Sequence, residues 1–158
     1  MKRKIALLLS IIMLLGQTTV IFAADDNLTG TYEVVENVDD DMPLGDGVDI
    51  APQTLYLANV YTSIVKVSST QVSIRAQAVC AEKVKALKVI YILQQWNGSQ
   101  WVDIVSRTAT EYDVSTAHKS YTISGLGSGT YRCKASAMAT GYSGYSETLY
   151  GFSASIKL

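Results

Sequence analysis

Residues 86–108 read ALKVIYILQQWNGSQWVDIVSRT, and the period of this stretch decides the fold class. Ala86–Trp96 and Gln100–Thr108 are rich in β-branched and aromatic residues, the types that fit a pleated surface. Between them Asn97-Gly98 supplies the two positive-φ positions that a tight primed hairpin turn requires. Pairing about that turn sets Leu93 opposite Val102 and Tyr91 opposite Ile104. Side chains alternate across a strand, so Val89, Tyr91 and Leu93 share the core face and Ile90, Ile92 and Trp96 share the outer one. On the partner strand Trp101, Asp103 and Val105 take that outer side.

Outward from the hairpin the same period recurs. Tyr61–Val67 alternates, Ser68-Ser69-Thr70 turns, and Gln71–Cys80 alternates again with Val72, Ile74, Ala76, Ala78 and Cys80 on one face. Ala81–Lys85 is polar and reads as a loop or a turn of helix, and Glu111–Lys119 as a polar connection. Ser120–Ser124, Thr130–Ala139 and Glu147–Lys157 supply three more strands. In Thr130–Ala139 the alternation turns Tyr131, Cys133, Ala135 and Ala137 inward and Arg132, Lys134 and Ser136 outward. Seven strands with frequent turns and no sustained helical period predict an all-β, seven-stranded antiparallel sandwich over residues 53–158.

The two ends of the chain carry different information. Lys2, Arg3 and Lys4 precede an apolar run over Ile5–Leu15, and Val20-Ile21-Phe22-Ala23 ends on a small residue; that order predicts a secretory signal peptide over 1–23. An eleven-residue run is too short for a hydrocarbon core of about 30 Å, so the expectation is a secreted, extracellular protein with no stable membrane insertion after cleavage. Residues 24–52 hold nine Asp/Glu and no Lys or Arg, which predicts a disordered acidic leader. Residues 53–158 hold ten Lys/Arg against five Asp/Glu, a net of +5. That charge is scattered over strands and does not point to nucleic acid. Cys80 and Cys133 each fall on the inward face of a strand. In an exported chain they predict a disulfide, the alternative being two buried free thiols. The bond would close a 53-residue loop, worth about 4 kcal/mol if unstrained.

Gly129-Thr130-Tyr131-Arg132-Cys133 resembles the immunoglobulin-type sandwich, whose tyrosine corner places a Tyr two residues before the second cysteine. Leu126–Tyr131 is similar to the corresponding turn of fibronectin type III domains. The resemblance implies that Cys80 is the first cysteine, on the second strand, and that Tyr91 takes the place of the core aromatic on the third. With its acidic leader and Trp-Asn-Gly-x-x-Trp hairpin, the whole chain resembles small exported proteins of Gram-positive bacteria of unknown function. The resemblance carries fold and no active site.

Candidate chemistry is sparse. His118 is the single histidine, and no nucleophile-elbow glycine pattern frames a serine. Two cysteines 53 residues apart do not make a zinc set. Asp103, Glu111 and Asp113 are the carboxylates from which a glycoside-cleaving pair would have to come. Asp39-Asp40-Asp41 and Asp46-Gly47-Val48-Asp49 offer oxygens to a calcium ion without the spacing of a twelve-residue loop. No metal and no cofactor are expected. The better candidate is a surface. Trp96 and Trp101, with Ile90 and Ile92 behind them, make an outer sheet face more apolar than solvation needs. Tyr142 and Tyr145, on a Gly/Ser loop followed by Tyr150 and Phe152, add adaptable aromatic contacts. These residues predict a non-catalytic binding module for an extracellular glycan, of cell wall or host, or for another exported protein, with homodimerisation through the face as a further option. The alternatives are a secreted glycan- or peptide-acting enzyme, and a secreted effector or toxin.

Overall fold

A computed structural model describes residues 32–37 and 55–158. The expected signal peptide, the aspartate runs at 39–41 and 46–49, and most of the acidic leader lie outside the described residues. The elements are β1 (Glu33–Glu36), β2 (Leu57–Lys66), β3 (Gln71–Trp96), β4 (Trp101–Ser124), β5 (Thr130–Thr140), β6 (Ser146–Phe152) and β7 (Ile156–Lys157). All pairings are antiparallel and belong to one seven-stranded sheet, so the all-β expectation holds.

These are not the seven strands that the sequence separates. β3 and β4 run 26 and 24 residues, each straight through a segment read as a connection. The polar Ala81-Glu82-Lys83 is a bulge inside β3. Val79 pairs with Thr116 and Val84 with Val114, so four residues of β3 face only Ser115 of β4. The ladder resumes on both sides, and the bulge switches the inward set. Val72, Ile74, Ala76, Ala78 and Cys80 are buried before it, and Leu87, Val89, Tyr91 and Leu93 after it. Asp113 sits at the same bend with φ 56°, the left-handed region that few non-glycine residues enter.

The leader also contributes to the sheet, which corrects the reading of 24–52 as wholly disordered. β1 pairs with the end of β4, Val34 beside Ile123. Tyr32 and Val34 pack against the core, and Glu36 pairs with Lys119. Asn37 extends the edge. Its Nδ2 donates to Ser73 Oγ at 2.9 Å and to Ser120 Oγ at 3.1 Å, and its Oδ1 accepts from Thr122 Oγ1 at 2.9 Å. A four-residue strand with Val34 inward, preceded by an inward Tyr32, is enough where a ready edge exists to pair with.

β4 lies beside β3 throughout, while β3's other edge is shared: β2 takes its first half and β5 its second. Contacts join the two halves. The Cys133 thiol on β5 donates to Arg75 O on the first half of β3 at 3.7 Å, and Gly151 of β6 lies directly against Val60 of β2. Between them the core holds Val60, Ile74, Leu87, Leu93, Ile123 and Tyr131, each fully buried leucine- or isoleucine-sized side chain contributing about 1.5–3 kcal/mol. Tyr91 sits at its centre, 1% exposed, edge-on to Tyr121 with centroids 5.2 Å apart. The start of β2 is pinned by Glu147 of β6, whose carboxylate accepts the backbone N–H groups of Leu55 (2.7 Å), Tyr56 (2.6 Å) and Leu57.

Two expectations are corrected by this geometry. Cys80 and Cys133 are both buried and are not bonded. The Cys133 sulfur reaches β3 at Arg75, five residues from Cys80; at the rise of a strand that is about 16 Å, far beyond a disulfide's Cα span of about 7 Å. The hairpin register also differs. Trp96 pairs with Trp101 across a four-residue loop, 97–100, rather than a two-residue turn. Asn97 Oδ1 accepts from the N–H groups of Ser99 and Gln100, and Gly98 adopts φ 103°; an Asx side chain that satisfies two backbone donors favours the longer loop. A second bulge follows between Leu93 and Gln94, so Leu93 faces Val105 and Tyr91 faces Arg107. Val105 therefore points into the core and not outward.

Candidate functional site

The outer face of the second half of β3 is built in cross-strand rows. Trp96 pairs with Trp101; Gln94 lies between Asp103 and Arg132; Ile92 between Ser106 and Lys134; Ile90 between Thr108 and Ser136. β6 adds Phe152 beside Lys134 and Tyr150 beside Ser136. Directly opposed residues of an antiparallel pair project to the same side, so these side chains share one surface.

Arg132 is the centre of that surface. Its guanidinium carbon lies 4.3 Å from the Trp101 ring centroid and 4.7 Å from that of Phe152, a cation held against two aromatic rings. Nε donates to Gln94 Oε1 at 2.7 Å, and Gln94 Nε2 donates to Asp103 Oδ1 at 2.5 Å. Lys134 Nζ stands 3.9 Å from Asp103 Oδ2 and 6.0 Å from the Tyr150 ring centroid. Burial lowers the Arg132 pKa while Asp103 pulls it back up, and a guanidinium so placed stays charged at neutral pH. Gln94, itself buried, is the fixed bridge that orients both charges.

The expected site residues divide between two places. Trp96 is 40% exposed and meets Trp101 with centroids 5.5 Å apart at 59°. Ile90 and Ile92 lie on the same side but form its floor, Ile92 being only 7% exposed. Tyr142 and Tyr145 are not part of this surface. They stand on the β5–β6 loop, beyond the Ala86–Thr140 pair, whereas the Trp pair closes the other end of the same ladder. Ten residues of strand separate those ends, about 30 Å. There Tyr142 OH donates to Asp113 Oδ1 at 2.5 Å, and Lys83 Nζ lies 3.8 Å from Asp113 Oδ2. The Tyr142 bond, then Lys83, holds the Asp113 carboxyl below its ordinary value, and the same bond raises the Tyr142 phenol. Tyr145 packs at 6.3 Å from Tyr56.

Of the residues considered for catalysis, Glu111 and Asp113 are two residues apart on β4 and the others are dispersed. His118 lies within β4, opposite Gln77, and is exposed. Asp103 and Asp113 are ten residues apart along β4, on the order of 30 Å, well outside the separations of paired glycosidase carboxyls. Asp103 is engaged with Gln94 and Lys134, Asp113 with Tyr142 and Lys83.

Sequence reasoning singled out the tryptophans but not Arg132, Lys134 and Gln94 as their partners. Alternation already turned Arg132 and Lys134 outward; that β5 lies beside β3, in the register that sets Arg132 against Gln94, is a tertiary fact. No protein-family profile matches this chain, and no curated protein is similar to it.

Proposed function

We propose that this is an exported, non-catalytic binding module built on an immunoglobulin- or fibronectin-like β-sandwich, and that it contacts an extracellular glycan or exported protein through the Trp96/Trp101/Arg132 face. The sandwich reading is supported by strand order. One half runs β2, first half of β3, second half of β4, β1; the other runs first half of β4, second half of β3, β5, β6. It is supported too by a tyrosine corner, for Tyr131 OH donates to Gly127 O at 2.8 Å.

The observation that carries the function is the Arg132 guanidinium held against Trp101 and Phe152 beside an exposed Trp96. Trp and Arg are the residue types that concentrate binding energy in recognition surfaces. Here Arg132 is preorganised by Gln94 and by two rings, so little of its side-chain freedom is left to lose on binding. The test is retention of purified protein on intact producer cells and isolated peptidoglycan, beside Trp96→Ala/Trp101→Ala. Retention that the double variant loses supports the reading; retention unchanged in the variant removes the face from it.

A further inference from the structure

We propose that the ligand of this face is a carboxylated polysaccharide, a polymer of uronic acid residues, with Arg132 and Lys134 taking its carboxylates. The inference rests on the binding-module reading above and deepens it. Among the described residues, the charged side chains turned to this side of the sheet are Lys88, Arg132 and Lys134 against Asp103, an excess of two positive charges over the face. The Arg132 plane is fixed by two rings and by its Nε bond to Gln94. That leaves the guanidinium's terminal N–H groups, whose fork matches a planar carboxylate in bidentate geometry better than it matches a tetrahedral sulfate. Lys134 is two residues along β5, about 7 Å away on the same side, and supplies a second cation.

The flanks select the rest of the ligand. Exposed Trp96 lies on one side of this pair and exposed Tyr150 on the other. Aromatic planes pack against the C–H faces of pyranose rings. Gln94 and Ile92 belong to the central strand of this half, whose backbone hydrogen bonds are already shared with β4 and β5. An acidic peptide laid over these two residues would therefore find no backbone to pair with there, since the outer strands of this half are the first half of β4 and β6. A repeating sugar ring that carries one carboxylate meets both features of the surface at once.

Polygalacturonate and its fully methyl-esterified form test this, since they share a backbone and differ in charge. By calorimetry or affinity electrophoresis at fixed ionic strength, the native protein should bind polygalacturonate and lose about tenfold in affinity on esterification. Arg132→Gln should lose a similar factor and become indifferent to esterification, with Lys134→Gln showing a smaller loss in the same direction. Circular dichroism confirms that both variants are folded, and the lysine variant keeps the test alive if the arginine variant is not. Equal affinity for the ester, tighter binding of dextran sulfate, equal binding of polyglutamate, or no binding of polygalacturonate would each overturn the assignment. Trp96→Ala separates the two levels. If it abolishes binding to a neutral polymer or to cells while esterification changes nothing, the face stands and the uronate assignment falls. If it changes no binding at all, both fall.

Discussion

Gly151→Ala tests the packing that brings the two halves of the sheet together. A methyl group at Gly151 would lie 2.6 Å from Val60 O, 3.0 Å from Val60 Cγ1 and 3.1 Å from Thr62 Cγ2. The nearest of these atoms is backbone of β2, paired to β3 and unable to swing aside. β6 must therefore move away from β2, or β2 must distort. Overpacking of this kind costs about 1–3 kcal/mol, and contact with backbone places the expectation near the upper end, about 2–3 kcal/mol. For a domain of this size that is a fall in melting temperature of about 10–20 °C. Urea denaturation followed by tryptophan fluorescence should show a lower midpoint at unchanged slope, because the surface exposed on unfolding is the same. Gly127→Ala is the control, since a methyl group there meets nothing within 4 Å; its midpoint should stay within about 0.5 kcal/mol of the native value or rise slightly. If Gly151→Ala and Gly127→Ala melt together, β6 does not pack on β2 as described.

Four further outcomes follow from particular contacts and from burial. Glu147→Ala removes one carboxylate from three backbone donors at the start of β2 and should cost about 2 kcal/mol in urea, with amide exchange at Tyr56 and Leu57 accelerated; unchanged exchange there would refute the pinning. Tyr131→Phe deletes the hydroxyl bond to Gly127 O and should cost about 1 kcal/mol by thermal or urea melting; no loss would show that the corner is ornamental to stability. Burial pushes the Cys133 thiol up to about 12 and, with a smaller contribution from Glu147, the Cys80 thiol up to about 11. Both should resist alkylation at pH 8 in the native state and together take up two alkyl groups in denaturant without reductant; no uptake in denaturant would show a bond. The same burial makes stability alkaline-sensitive. Each thiol releases its proton near pH 9 when unfolded but retains it when folded, so the contribution is full below pH 9 and lost as pH rises toward the folded values, at about 1.4 kcal/mol per pH unit for each fully protected group. A urea midpoint that is flat between pH 9 and 11 would refute this.

Strand period is local, and the sequence determined what is local. Alternation by itself identified Val72–Cys80, Val89–Leu93 and Tyr131–Ala137 as half-buried strands with the correct side inward, because a residue's face depends only on its neighbours' spacing. It also marked Trp96 and Trp101 as outward aromatics. What it misread were the places where polarity and pairing disagree. Ala81-Glu82-Lys83 looks like a break, yet β4 holds the strand on both sides of the bulge, so β3 stays continuous and changes its inward set. The Asn97 side chain chose a four-residue loop, and the bulge near Gln94 moved Val105 into the core.

Only the tertiary structure decided which strands are neighbours. Cys133 and Cys80 each face inward by period, but β5 comes to the first half of β3 at Arg75, and the distance along that strand keeps the sulfurs apart. The same placement of β5 sets Arg132 against Gln94 and Trp101 and leaves Tyr142 and Tyr145 at the far end of the ladder. Which face a side chain takes is a property of a few consecutive residues. Which side chain stands beside it depends on strands distant in the chain, and single-strand periodicity carries no information about that.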